Sequence, residues 1–125
     1  MLKVIPLSKA DEQEKVCLKL GINYEKNQFA YAAYEDDETV GASQFYIKDG
    51  IGYITDQRVK DDNVALAMLL GRSVLNCLDL HGVEEAYFEK QGDFYDKCAK
   101  VIGYKVKDGK YYAYLPGMFT AKHDH

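Results

Sequence analysis

Apolar residues follow two different spacings along this chain of 125 residues. Segments in which apolar or aromatic residues alternate with polar ones predict strands, because successive side chains of a strand point to opposite faces. Segments in which apolar residues recur every three or four positions predict helices. The predicted strands span residues 2–7, 29–35, 39–48, 51–59, 84–89, 104–106 and 110–115, and the predicted helices span residues 8–20, 64–80 and 93–102.

Turn residues between these segments indicate how the strands pair. Asp49-Gly50 is a strong hairpin signal, and Lys107-Asp108-Gly109 separates the last two strands. The helix after Val59 has to cross over to the strand near Glu84, so that strand is predicted to lie parallel to the one that begins at Ile51. The expected fold class is therefore α/β (α+β), in the order β-α-β-β-β-α-β-α-β-β, with a mostly antiparallel mixed sheet around a central parallel pair.

Two local features refine this prediction. The segment from Ser8 to Asp11 fits a capping box at the start of the first helix. The segment from Val64 to Leu78 is apolar on most of its sides, which predicts a helix buried on more than one face. Pro116-Gly117 ends the last strand pattern, so we expect one domain over residues 1–115 and a C-terminal tail over residues 116–125.

Composition and charge narrow the function classes. A net charge of −4 makes nucleic-acid binding a poor prediction, because such binding needs a basic surface. No window approaches the roughly 18 apolar residues of a membrane span. The three cysteines are far apart and form no C-x-x-C pair, which predicts free thiols in a reducing compartment and hence a cytoplasmic protein. His123 and His125 are expected to belong to a frayed terminus rather than to a metal site.

Three stretches together carry a resemblance to a known family. They are residues 38–45, with Val40-Gly41 in a hairpin strand, residues 53–59 in the next strand, and Ile102-Gly103-Tyr104 before the last hairpin. In their order and spacing these stretches resemble the GNAT (Gcn5-related N-acetyltransferase) superfamily over about residues 2–115. The resemblance implies acetyl-CoA as the acyl donor and an amine as the acceptor.

The resemblance also implies where the donor would bind. The family holds the pyrophosphate with a glycine-containing R/Q-x-x-G-x-G/A loop at the start of the central helix, and the pantetheine bonds to backbone groups between two diverging strands. Here the matching loop has no glycine and carries Asp61 and Asp62, whose carboxylates would repel a phosphate. The cofactor-binding residues that the resemblance implies are Arg58, Val59, Lys60, Asn63, Val64 and Ala65.

Catalytic candidates follow from the same resemblance. The family often uses a tyrosine before the last hairpin as general acid, and the matching position here is Ala99. Tyr95 lies one helical turn earlier and Cys98 is adjacent, so each is a candidate acid, with ordinary packing as the alternative. Asp56 is the candidate general base, with a structural bond to the backbone or to Arg58 as the alternative, and Glu89 at the end of the next strand is a second candidate.

Three interpretations of the function stay open at this point. The first is an acetyl-CoA-dependent N-acetyltransferase that acts on an unknown small-molecule or protein amine. The second is a catalytically inactive GNAT-fold module for binding or assembly, in which the apolar central helix and the tyrosine-rich strands would supply a homodimer face. The third is an unrelated α/β ligand-binding domain. Neither nucleic acid nor membrane is an expected partner, and no metal site is expected.

Overall fold

Seven strands form one sheet in the computed structural model, which describes residues 1–118. The strands are β1 (Leu2–Leu7), β2 (Phe29–Glu35), β3 (Glu38–Lys48), β4 (Ile51–Val59), β5 (Glu85–Phe88), β6 (Lys105–Lys107) and β7 (Lys110–Tyr114). The helices are α1 (Ala10–Leu20), α2 (Val64–Leu80) and α3 (Asp93–Ile102), and a short 3₁₀ turn (Lys60–Asp62) joins β4 to α2. His123 and His125 lie outside the described residues.

The strand order in the sheet is β1-β2-β3-β4-β5-β7-β6. All neighbouring strands are antiparallel except β4 and β5, which pair in parallel from Ile51↔Glu85 to Ile54↔Phe88. This topology confirms the predicted fold class, the predicted element order and the central parallel pair.

Helices cover both faces of the sheet. Consecutive residues of β2 show this division, because Ala32 packs in the cluster under α1 whereas Ala33 packs in the larger cluster under α2 and α3. The smaller cluster joins α1 to the first three strands through Val16 and Cys17. Within the described residues, no helix is long and apolar enough to span a membrane.

The helix boundaries have local causes. Gly21 ends α1 in the left-handed conformation, with φ of 76° and its N–H bonded to the last turn. Asn63 begins α2, because its side-chain oxygen accepts the N–H of Leu66 at 3.0 Å. The capping box predicted from Ser8 is wrong, since α1 begins one residue later than that motif requires and Lys9, which has no capping side chain, is its N-cap.

The central helix α2 is buried on two sides, against the sheet and against α3, which confirms the prediction, and its remaining side is exposed. Leu70, Leu75 and Leu78 are at most 1% exposed against the sheet. Gly71 lies against α3, where an added Cβ would be 2.7 Å from Cδ1 of Ile102. The remaining side is solvated and keeps apolar residues at the surface, among them Val64, Leu69 and Leu80.

The contact between Gly52 of β4 and Leu78 of α2 yields a stability prediction. An ideal Cβ on Gly52 would lie 2.6 Å from Cδ1 of Leu78. Gly52→Ala should therefore lower the free energy of unfolding by about 1–3 kcal/mol through overpacking, as measured by urea denaturation. Leu78→Ala alone should cost about 2–5 kcal/mol. Because the new methyl group would enter the vacated space, the double variant should lose less than the sum, and strictly additive losses would contradict this contact.

Candidate functional site

The pairing of β4 with β5 ends halfway along β4. The last pair is Ile54↔Phe88, and one further bond joins the N–H of Glu89 to the C=O of Ile54 at 3.3 Å. Opposite β3 the register skips Thr55, which is therefore the extra residue of a β-bulge. A bulge bends its strand and increases the local twist. Because β5 ends at Phe88, the rest of β4 has no strand beside it on that side, and a gap, here called the wedge, lies between residues 55–59 and residues 89–95.

Side chains from the far side of the wedge bond to the free edge of β4. The backbone N–H of Gln57 donates to Oε1 of Gln91 at 2.8 Å, and Nε2 of Gln91 donates to the backbone C=O of Gln57 at 2.8 Å. The backbone N–H of Val59 donates to the hydroxyl oxygen of Tyr95 at 3.0 Å. The edge of β4 that turns toward the wedge is therefore satisfied by side chains instead of a neighbouring strand.

The core that adjoins the wedge, between the sheet, α2 and α3, is tightly packed. A void of only about 10 Å³ remains, which is room for at most one water molecule. Cys98 of α3 lines this void rather than any open surface. Burial raises the pKa of the Cys98 thiol, and the negative charge of Asp62 adds to this effect, so the thiol is protonated at neutral pH.

Tyr95 lies where the wedge meets solvent. It is 7% exposed, and burial is the largest cause of the raised pKa of its hydroxyl. The hydrogen bond from Val59 and the positive charge of Arg58, whose guanidinium is 5.9 Å from the ring centroid, act in the opposite direction. The phenol is therefore protonated at neutral pH and is in the form that can donate a proton.

A cavity of about 440 Å³ opens at the mouth of the wedge, between the end of α1 and the Lys60–Asp62 turn. Its charged lining is mixed, with three cationic side chains and two carboxylates: Lys19, Arg58, Lys60, Glu38 and Asp62. Lys60 Nζ is 2.6 Å from Oε2 of Glu38, and this hydrogen bond lowers the pKa of the Glu38 carboxyl. The cavity thus offers cations for an anionic group next to the free edge of β4.

The turn that leads into α2 has a backbone shape that glycine adopts most readily. Asp61 has φ of 56° and Asp62 has φ of 46°, both in the left-handed region. Both side chains are exposed. The turn therefore has two residues in a backbone conformation that favours glycine, and both carry negatively charged side chains. Asn63 is engaged in capping its own helix.

Asp56 and Gln57 are consecutive residues of β4 and therefore point to opposite faces of the sheet. The extra residue at Thr55 shifts the alternation, so that Gln57 and not Asp56 faces α2. Gln57 Nε2 donates to the C=O of Ala67 in α2 at 3.3 Å. Asp56 is directed toward α1, where its charge adds to burial in raising the pKa of Cys17. The Asp56 side chain is 20% exposed, and its Oδ1 accepts a bond from Nε of Arg58 at 3.0 Å.

The face of the sheet that carries Asp56 also carries a row of tyrosine rings beyond α1. The rings belong to β3, β4, β5 and β7, with successive centroid distances of 4.9, 5.8 and 5.3 Å: Tyr46, Tyr53, Tyr87 and Tyr112. The ammonium of Lys107 lies 4.5 Å from the centroid of Tyr112. The row is half-buried, and Tyr46, Tyr53 and Tyr87 are stacked, so the faces of these rings are turned toward one another.

Some of the residues predicted from sequence converge and others do not. Arg58, Val59, Lys60 and Tyr95 line one cavity. Residues 63–65 lie away from it: Asn63 and Ala65 border a separate depression and Val64 is 59% exposed. The catalytic and binding roles given to all of these residues stay predictions.

Sequence reasoning missed the two glutamines that meet across the wedge. Gln57 stands between two charged residues, Asp56 and Arg58, so the sequence contains no sign that its side chain would be buried. Gln91 lies in a connection without periodicity and offers no signal either. Within residues 1–118, no three His, Cys, Asp or Glu side chains are grouped to hold a metal ion.

The chain is similar to solved structures of acetyltransferases. An N-acetyltransferase from Staphylococcus aureus Mu50 aligns with a TM-score of 0.75 at 9% identity, covering 93% of this chain and 99% of that one. The PaiA N-acetyltransferase from Thermoplasma acidophilum, in complex with coenzyme A, aligns with a TM-score of 0.69 at 11% identity over 88% of this chain and 96% of that one. A GNAT-family acetyltransferase from Staphylococcus aureus Mu50 gives 0.65 at 11% identity, with coverages of 92% and 99%.

Comparison of the sequence with protein-family profiles and with curated proteins gives no match. At these identities the structural likeness establishes the fold. The chain therefore has the fold of the GNAT acetyltransferases, which confirms the resemblance inferred from the sequence.

Proposed function

We propose that this protein is an acetyl-CoA-dependent N-acetyltransferase that acts on an amine. The observation that carries the proposal is the interrupted pairing of β4 and β5 after Ile54, which leaves the peptide groups of Gln57 and Val59 directed into a wedge. An interrupted strand edge is suited to an extended ligand that has peptide-like amides. The pantetheine arm of coenzyme A is such a ligand, because it is a linear chain with two amide groups.

The residues around the wedge fit this donor in part. The N–H and C=O of Gln57 can bond an amide of the ligand once Gln91 moves aside, while Val59 stays bonded to the buried Tyr95. Arg58, Lys60 and Lys19 line the cavity at the mouth and would contact the phosphates. Asp61 and Asp62 oppose the phosphates by charge. When bound, the thioester supplies the acyl group for transfer.

The candidates for proton transfer are side chains of this protein. Asp56 would accept a proton from the ammonium group of the acceptor, which leaves a neutral amine that can attack the thioester, and Arg58 holds the carboxylate in place at 3.0 Å. Tyr95 is protonated at neutral pH, but it lines the cavity proposed for the phosphates, and the whole pantetheine arm separates the phosphates from the sulfur, so water would protonate the departing thiolate. Cys98 is no better placed to act as this acid, because it lines the interior void.

The open face of the sheet would receive the acceptor. Asp56 and the tyrosine row lie on the same face, so an amine that approaches Asp56 passes the rings of Tyr53 and Tyr87. The stacked rings turn their faces toward one another, and Lys107 already lies over Tyr112. The carboxylate of Asp56 is therefore the feature that supports an acceptor with a cationic amine.

A second candidate function is a GNAT-fold binding module without catalysis. The two carboxylates of the Lys60–Asp62 turn and the bonded edge of β4 favour it, because both disfavour the donor. Thermal denaturation separates the two. Acetyl-CoA at about 100-fold above its Kd stabilises a protein by about 2.7 kcal/mol, which raises Tm by several degrees. An unchanged Tm at millimolar acetyl-CoA would contradict the transferase and favour the module.

The charges of the turn give a second prediction. Asp61→Gly together with Asp62→Gly should tighten acetyl-CoA binding by about ten-fold, or about 1.4 kcal/mol, because two repelling charges are removed and glycine adopts the same φ. Titration calorimetry measures this affinity. Asp49→Gly is the matched control, since Asp49 has φ of 53° in the exposed β3–β4 turn. Equal affinities in all three proteins would refute repulsion by the turn.

The assignment of the base gives a third prediction. Asp56→Asn should lower the rate of acyl transfer at neutral pH by about 10²–10⁴-fold while acetyl-CoA affinity stays within two-fold. The release of free coenzyme A thiol, followed with a panel of amines, reports the rate. Glu89→Gln is the control, because Glu89 ends the neighbouring strand and pairs with Lys110 at 3.2 Å in an exposed position. A rate lost in Glu89→Gln but kept in Asp56→Asn would move the base to Glu89.

A further inference from the structure

We propose that Gln91 is a latch that holds the wedge closed by bonding where the amide of a coenzyme A thioester would bond. This inference rests on the proposed function and adds a regulation of the same site. It is carried by the two 2.8 Å bonds between the Gln91 carboxamide and the N–H and C=O of Gln57. Both polar backbone groups of one strand residue are thus bonded to one side chain.

The geometry of this contact imitates a peptide. In a strand, the N–H and C=O of one residue point to the same side, and a neighbouring strand would bond to both. Among side chains only the carboxamides of Asn and Gln offer a planar donor and acceptor pair of this kind. Gln91 therefore replaces the missing strand with one amide, and a ligand amide would compete for the same two backbone groups.

The connection that carries Gln91 can open without disturbing the core. Residues 89–92 join β5 to α3 without regular structure, and Glu89, Lys90 and Gly92 are exposed. Gly92 has φ of 119° and no atom within 4 Å of an added Cβ, so its surroundings leave room for movement. Tyr95 bonds to Val59 from the first turns of α3 and is set back from this connection.

The latch would select ligands by their amides. Opening it removes two hydrogen bonds from a part-buried edge, and leaving the backbone groups of Gln57 unpaired is costly. A ligand amide restores both bonds, so the exchange is nearly neutral. A nucleotide that has phosphates but no amide restores neither. The apparent affinity for coenzyme A is then the affinity of the open protein multiplied by the fraction of protein whose latch is open.

Titration calorimetry with acetyl-CoA tests the latch in four proteins: the unaltered chain, Gln91→Ala, Gln91→Met and Lys90→Ala. Gln91→Met keeps the bulk of the side chain and removes its hydrogen bonds. Both Gln91 variants should bind acetyl-CoA about five- to a hundred-fold more tightly, the gain expected from releasing two hydrogen bonds. Lys90→Ala alters the same connection without touching β4 and should stay within two-fold. The affinity for adenosine 3′,5′-bisphosphate, which lacks amides, should be the same in all four.

The possible failures are distinct. Equal acetyl-CoA affinity in all four proteins would overturn the latch and leave the proposed function in place. Tighter binding in Gln91→Ala alone would show that bulk, not hydrogen bonding, closes the wedge, and would also overturn the latch. A matching gain for adenosine 3′,5′-bisphosphate would overturn the amide selection. Absence of acetyl-CoA binding in every protein would overturn the proposed function together with the latch.

Discussion

The free edge of β4 is the constraint on which the site depends. Buried backbone N–H and C=O groups have to be bonded, and β5 cannot bond those of Gln57 and Val59, because its pairing with β4 stops at Ile54 and β5 ends at Phe88. The carboxamide of Gln91 and the hydroxyl of Tyr95 meet this need. A bound donor would need the same backbone groups of Gln57, so the hydrogen bonds that stabilise the fold also close the proposed site.

Rigid elements hold the two sides of the wedge. Gln57 anchors β4 to α2 through its side-chain bond to Ala67, and the close approach at Gly71 sets α3 against α2. The Lys60–Asp62 turn differs, because its positive φ values are ones that glycine adopts readily while its two exposed carboxylates would repel a phosphate. The chemistry of the site thus depends on a few exposed or replaceable groups, and the framework around them is fixed by packing.

Much of the fold could be predicted because its signals are local. The Asp49-Gly50 turn, the change of period after Val59 and the glycines after α1 and α3 each act over a few residues, and the elements they predicted are present. The first helix cap was an exception, since Ser8 and Lys9 compete for the same position and the sequence pattern favours the wrong one.

The site was less predictable because its features depend on register and tertiary contact. Alternation from Gly52 and Ile54 would place Asp56 beside α2, and only the extra residue at Thr55 places Gln57 there instead. The missing glycines of the turn were evident, but the positive φ values of Asp61 and Asp62 were not. The pairing of Gln91 with Gln57 joins residues 34 positions apart and leaves no periodic trace.

Nuclear magnetic resonance of the Gln91 side-chain amide tests the central claim most directly, that the β4 edge binds the donor by exchanging one amide for another. In the free protein the Nε2 proton that is bonded to the C=O of Gln57 should exchange slowly with water, as should the backbone N–H of Gln57. At saturating acetyl-CoA, the account predicts fast exchange for this Gln91 proton, while the Gln57 N–H shifts but stays protected. Gln91 signals that are unchanged when acetyl-CoA is bound would contradict it.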